Sequence, residues 1–144
     1  MTLASRSTAL TFVVFVAGFI LGHVLDTGLA QSQEPQVAKV FELRTYTTPE
    51  GKLPNLLARF RDHTMRIFEN HGMTSVGYWV PEDQENTLIY IISHESLEAA
   101  AANWDAFRND PEWQEVAEES QRDGRIVSNV ESVFMTATDF SPIE

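Results

Sequence analysis

The sequence predicts an α+β domain of β-α-β-β-α-β order, the split βαβ or ferredoxin-like plan, with an antiparallel four-stranded sheet carrying both helices on one face. Three observations carry this. Residues 40–47, V-F-E-L-R-T-Y-T, alternate Phe41, Leu43 and Thr45 with Glu42, Arg44 and Tyr46, the period of a strand. Residues 53–71 repeat apolar side chains at helical spacing, and two extended runs at 74–80 and 87–94 follow after a glycine. A serine-capped, alanine-rich stretch then leads to a last alternating run at 127–138.

The first strand ends at T-T-P-E-G-K, where Thr48 suits an N-cap, Pro49 the first helical position and Glu50 the positive end behind it. Leu53, Leu56, Leu57, Phe60, Thr64, Ile67, Phe68 and His71 form one helical face, with Arg59, Arg61, Asp62, Arg66 and Glu69 opposite. Pro54 can delay the helix start, and Gly72 is the expected C-terminal glycine. Thr74–Val80 is a strand stopped by Pro81, and the polar turn E-D-Q-E-N leads into Thr87–His94, so the two form a hairpin. The second of these is β-branched and apolar on both faces, which suits a central position. Ser96 caps the next helix, whose Ala99–Ala102 run packs closely and whose Trp104 and Phe107 continue the buried stripe. Asp110-Pro111-Glu112 restarts a helix, Trp113, Val116 and Ala117 give it an apolar side, and Gly124 ends it.

The chain has 144 residues, one domain's worth, and 43% of them are apolar, enough for a core. A formal net charge of −11 disfavours a nucleic-acid partner. The absence of cysteine excludes disulfides, thiol nucleophiles and cysteine metal sites.

Ahead of this domain lies a basic start at Arg6, an apolar block from Leu10 that extends as far as Leu25, and small residues at Gly28 and Ala30 before Gln31. This is the pattern of a secretory signal over residues 1–30. The block is shorter than the roughly 20 residues of a spanning helix. An uncleaved anchor over residues 10–25, with Gly18 and Gly22 at small-xxx-small spacing, is the alternative, and an organelle transit peptide a more distant one. Residues 31–39 read as a polar linker and residues 40–142 as the domain. The expected location is periplasmic or extracellular, with membrane contact only through an uncleaved N-terminus.

Two helices cover one side of a four-stranded sheet, yet Leu88, Tyr90 and Ile92 lie opposite Ile89 and Ile91. A monomer would expose an apolar patch of several hundred square ångströms, on the order of 10 kcal/mol of unused burial. Two sheets packed face to face in a two-fold homodimer resolve this. On that reading Phe41 and Leu43 lie under the helices. Glu42, Arg44 and Tyr46 point to the partner sheet, joined by Tyr78, Glu131 and also Tyr90 and His94, and Arg44 finds a carboxylate such as Glu42 or Glu131.

F-E-L-R-T-Y-T at the start of the domain, N-H-G (Asn70 to Gly72), G-Y-W (Gly77 to Trp79), D-P-E-W (Asp110 to Trp113) and D-F-S-P (Asp139 to Pro142) follow in order over residues 39–142. With these motifs the domain resembles the NIPSNAP family. The resemblance implies a dimeric α/β barrel of ferredoxin-like protomers with a poorly defined biochemical activity. Eukaryotic members are associated with mitochondria and with vesicle traffic and mitophagy signalling through protein contacts. The structural relatives include cofactor-independent monooxygenases. The secretory-type N-terminus departs from the mitochondrial members and favours a bacterial envelope protein.

Candidate chemistry is sparse. Neither a P-loop, nor G-x-G-x-x-G, nor G-x-S-x-G occurs, so nucleotide, dinucleotide and serine-hydrolase readings lack a basis. The four histidines, His23, His63, His71 and His94, show no metal-ligand spacing, so neither a metal nor another cofactor is expected. His71 suits a capping or packing role and His94 a turn, whereas His63 is placed to face a pocket between helix and sheet. The ligand-binding candidates are Glu42, Arg44, Tyr46, His63 and Tyr78, and the catalytic ones are His63 and Arg44. Their simpler role is a dimer-interface network. Trp79, Trp104 and Trp113 suit the core, and the acids from Glu112 to Glu119 a solvated helix face. The leading expectation is a barrel that binds a small molecule or a partner protein. The alternatives are a cofactor-free monooxygenase or isomerase, in which Arg44 holds an anion, His63 moves a proton and Tyr46 or Tyr78 donates a hydrogen bond, and a purely structural dimerisation module.

Overall fold

A computed structural model describes residues 39–143. The expected signal or anchor and the linker, Lys39 excepted, lie outside the described residues. The elements are β1 (Val40–Thr47), α1 (Leu53–Arg59), a π-helical turn (Phe60–Thr64), α2 (Met65–Asn70), β2 (Thr74–Trp79), β3 (Thr87–His94), α3 (Leu97–Asn109), α4 (Pro111–Glu119) and β4 (Asn129–Thr136). The four strands form one antiparallel sheet in the order β2-β3-β1-β4. This is the predicted ferredoxin-like α+β plan, with β1 and β3 central.

The first helix departs in detail. Its opening proline is Pro54, not Pro49: Gly51, at φ 74°, turns the chain, and Lys52 takes the cap position. Thr48 does not cap it. Its amide and hydroxyl both donate to the carbonyl of Asn86, at 2.8 and 3.2 Å, and so fasten the end of β1 to the turn before β3. The single predicted helix over 53–71 contains a π turn, in which the Met65 amide donates to the carbonyl of Phe60. Within this wider turn the Thr64 hydroxyl also donates to the Arg59 carbonyl, at 3.2 Å. At the far end, Met73 N donates to Phe68 O at 3.0 Å and Gly72 N to Glu69 O at 3.1 Å, a Schellman motif that sets Met73 into the core.

Gly72 has φ 72°, and a Cβ there would lie 3.3 Å from Asn103 Nδ2, which donates to the Gly72 carbonyl. Gly72→Ala is expected to lower stability by about 1–2 kcal/mol. Thermal unfolding checks it, and an unchanged melting temperature would contradict the strain argument.

The predicted caps of the later helices hold. Ser96 Oγ accepts from Ala99 N at 3.0 Å, and Asp110 Oδ1 accepts from Glu112 N at 2.7 Å and Trp113 N at 3.3 Å. α4 ends at Glu119, before Gly124. β4 is shorter than the predicted 127–138 run because it pairs only along the length of β1.

The core lies between sheet and helices. Leu56, Phe60, Ile67, Phe68 and Phe107 meet Leu88, Tyr90 and Ile92 of β3. Phe68 has the rings of Phe60, Tyr90, Trp104 and Phe107 within 6.1 Å.

This core reverses the face assignment expected for β1. Glu42, Arg44 and Tyr46 pair in register with Ile92, Tyr90 and Leu88, the helix-facing residues of β3. They lie under the helices, and Phe41, Leu43 and Thr45 share the open face with Ile89 and Ile91. The physical reason is compensation: the helix side supplies hydrogen-bond donors for the Glu42 carboxylate, so the charged row can be buried there, while aliphatic residues are left on the open side.

Candidate functional site

Glu42 is 1% exposed, and its carboxylate accepts four hydrogen bonds. Oε1 receives Arg44 NH1 and Ser132 Oγ, each at 2.6 Å. Oε2 receives Trp104 Nε1 at 2.6 Å and pairs with His94 Nε2 at 3.0 Å. β1, β3, β4 and α3 each contribute one side chain or more, so this carboxylate ties the helix layer to three strands. Burial pushes its pKa up, but the donors His94, Ser132, Trp104 and Arg44 outweigh it and hold the pKa at about 2. With every lone pair engaged and the proton so weakly held, Glu42 is a fixed anion suited to anchoring, not to general acid–base work.

Arg44 is held by this anion and lies over the Trp104 ring at 4.2 Å and the Tyr46 ring at 5.6 Å. Burial opposes its charge, but the Tyr46 and Tyr90 phenols and the Glu42 carboxylate raise its pKa above the ordinary value. Tyr46 packs edge-on against Phe60 and Tyr90. Tyr78 stacks on Tyr90, with centroids 5.5 Å apart, and its hydroxyl pairs with Ser75 Oγ at 2.8 Å. Four of the five ligand-binding candidates, Glu42, Arg44, Tyr46 and Tyr78, thus share the helix-facing side of the sheet.

His63 is apart from them. It is exposed and lines a cleft of about 540 Å³ between α1 with its π turn and α4, not between helix and sheet. Neither Arg44, Tyr46 nor Tyr78 lines that cleft. Arg44, the expected anion holder, therefore stands outside the cleft lined by His63, the expected acid or base, because the helix turns residue 63 outward while β1 turns residue 44 inward.

Arg59, expected on the water face, is instead only 7% exposed and lines this cleft. α4 covers it: the guanidinium lies 5.1 Å from the Trp113 ring centroid, and NH1 donates to Ser120 Oγ at 3.4 Å. Its Nε has no hydrogen-bond partner, and no carboxylate lies within ion-pair distance of it among the described residues. Burial lowers its pKa, and the phenols of Tyr46 and Tyr90 only partly offset that.

His94, expected in a turn but also as a neighbour of the Glu42 row, is buried on Glu42. Sequence reasoning missed three participants. Trp104 is a donor as well as a core ring. Ser132, beside Arg44 in the strand register, is the only hydroxyl on its face of β4 that reaches the carboxylate. Arg59 needed the position of α4 to be known. His71 does serve at a helix end: Nε2 meets Asp110 Oδ2 at 2.6 Å, binding the end of α2 to the cap of α4 and lowering the Asp110 pKa.

A second cavity of about 260 Å³ lies on the open face, lined by Phe41, Val76, Ile91 and Met135 with Ser141 and Ile143 of the C-terminal tail.

Among solved structures, a NIPSNAP family protein with unknown function from Agrobacterium tumefaciens is 27% identical, with TM-score 0.66, over 75% of this chain and 96% of that one. A NIPSNAP-like domain protein from Burkholderia xenovorans is 19% identical, with TM-score 0.65, over 74% and 90%. SnoaB, a cofactor-independent oxygenase from Streptomyces nogalater, shares the fold at 15% identity and TM-score 0.53, over 73% and 98%. No curated protein matches the sequence. The NIPSNAP family model matches residues 41–142, from the strand that carries Glu42 and Arg44 to the tail beyond β4, and the chain belongs to the NIPSNAP family.

Proposed function

We propose that this protein is a small-molecule-binding barrel that works as an exported homodimer in the cell envelope, with its ligand in the cleft between α1 and α4. The observation that carries the ligand-binding reading is Arg59, a buried guanidinium without a carboxylate partner among the described residues, set in the wall of a cleft of small-molecule size. A buried unpaired charge costs several kcal/mol, and stacking on Trp113 offsets only part of that. A ligand group that meets Arg59 offsets more.

The homodimer is supported by the open sheet face, where Val133 is 56% exposed and Leu43, Ile89 and Ile91 lie without a helix over them. Export is supported by the apolar block and small-residue pair of the N-terminal sequence. Oxygenase or isomerase chemistry has the shared fold with SnoaB on its side, but Arg44 does not line the cleft that His63 lines.

A thermal-shift screen of a metabolite library on the wild type and on Arg59→Lys tests the ligand reading. Hits that raise the wild-type midpoint and lose at least half of that shift in the variant are expected. Hits indifferent to Arg59, or a library without a hit, would overturn the cleft as the binding site.

A further inference from the structure

The cleft is not simply an anion site. Besides Arg59 it is lined by Asp62, Glu112, Glu115 and Glu119. None of these pairs with Arg59. Glu112 is ion-paired with Arg66 and Glu119 with Arg122, whereas Asp62 and Glu115 have no ion-pair partner among the described residues. The cleft therefore holds positive charge on its buried member and negative charge on exposed members.

A plain anion at Arg59 would share the cleft with the unpaired carboxylates of Asp62 and Glu115, and a plain cation would be held by those acids while leaving Arg59 unpaired. We propose, resting on the reading of this cleft as the ligand site, that it takes a zwitterion whose anionic group meets Arg59 and whose cationic group, several bonds away, meets Glu115 and Asp62. Arg59 suits the anionic end because its planar fork fits a carboxylate or phosphate, and Trp113 and Ser120 hold it in one orientation. Glu115 and Asp62 suit the cationic end because each can pair without breaking an existing ion pair. Asn55 and His63 add hydrogen-bonding groups in the same lining.

Calorimetric titration of the full chain with matched probes tests this. ε-Aminocaproate is compared with caproate and with hexylammonium, which each keep one of its charges. Phosphocholine is compared with inorganic phosphate and with choline, which separates a phosphate-bearing from a carboxylate-bearing ligand. In at least one set the zwitterion is expected to bind about tenfold or more tightly than either partial probe. Glu115→Gln, an exposed position, is expected to weaken that zwitterion about tenfold and to bind the singly anionic probe as tightly as the wild type or more tightly, because one opposing carboxylate is gone.

Equal binding of the anion and the zwitterion would show that the acids are not used. Equal binding of the cation and the zwitterion would show that Arg59 is not used. Either result overturns the zwitterion and leaves the cleft standing as a ligand site. Failure of every probe also overturns it, and the library screen then decides independently whether the cleft binds any small molecule.

Discussion

Glu42→Ala is expected to cost about 3–5 kcal/mol of folding stability, a large part of what a domain of this size has. The substitution removes one side chain and strands four groups. Arg44 becomes a half-buried cation without its anion, and Trp104 Nε1, Ser132 Oγ and His94 Nε2 lose their common partner. Each stranded donor carries its own desolvation penalty. Urea unfolding should move to a lower midpoint with an unchanged slope. A loss under about 1 kcal/mol would mean that the carboxylate does not organise the helix–sheet junction.

The same group makes a pH prediction. Its folded pKa is about 2, below the ordinary 4.5 that it regains on unfolding. A depressed carboxylate contributes stability above the unfolded value, and that contribution is lost as pH falls through the folded one. The separation corresponds to about 3 kcal/mol, present above about pH 5 and lost by about pH 2. In Glu42→Gln the acid limb of the stability curve should be shallower by about that amount. An identical limb would assign acid unfolding to other carboxylates.

Glu42 also marks where sequence reading stops. The strands, their order and both later helix caps were legible because each depends on local pattern: alternation in β1, β-branching in β3, serine or aspartate before a helix. The same alternation says that a strand has two faces without saying which is inside. Hydrophobicity alone puts Phe41 and Leu43 under the helices. The opposite solution is stable because donors distant in sequence, Trp104 and Ser132 among them, converge on one carboxylate, and their convergence exists only in the folded chain.

Arg59 is illegible for a related reason. The helical wheel of residues 53–71 places it with Arg66 and Glu69 toward solvent. α4 adds a second packing surface, so adjacent residues Arg59 and Phe60 are both buried, one against α4 and the other against the sheet. A stripe drawn for one contact surface misses a residue that belongs to two. The family resemblance had the opposite character: five short motifs spread along the domain were enough to place it, and one of them, D-P-E-W, supplies Glu112 to the α1–α4 cleft and Trp113 to Arg59 without saying that a cleft lies there.

Leu43→Asp is expected to separate the proposed homodimer into folded monomers. Leu43 sits mid-row on the open face, with Ile91 opposite on β3 and Val133 opposite on β4. In a two-fold face-to-face dimer one substitution places two carboxylates in the shared apolar layer, each costing several kcal/mol when desolvated without a partner. The dissociation constant should rise by about a thousandfold or more, since each 1.4 kcal/mol is tenfold. On the free monomer the same aspartate faces water, and the core on the other side of the sheet is untouched. Light scattering should therefore report a wild-type dimer and a variant monomer at micromolar concentration, with matching far-ultraviolet circular dichroism. A wild type that is itself monomeric would refute the dimer, and a variant that stays dimeric would move the interface away from this face. Loss of the circular dichroism signal would instead contradict the face assignment, because only a residue packed under the helices makes an aspartate at position 43 incompatible with the folded protomer.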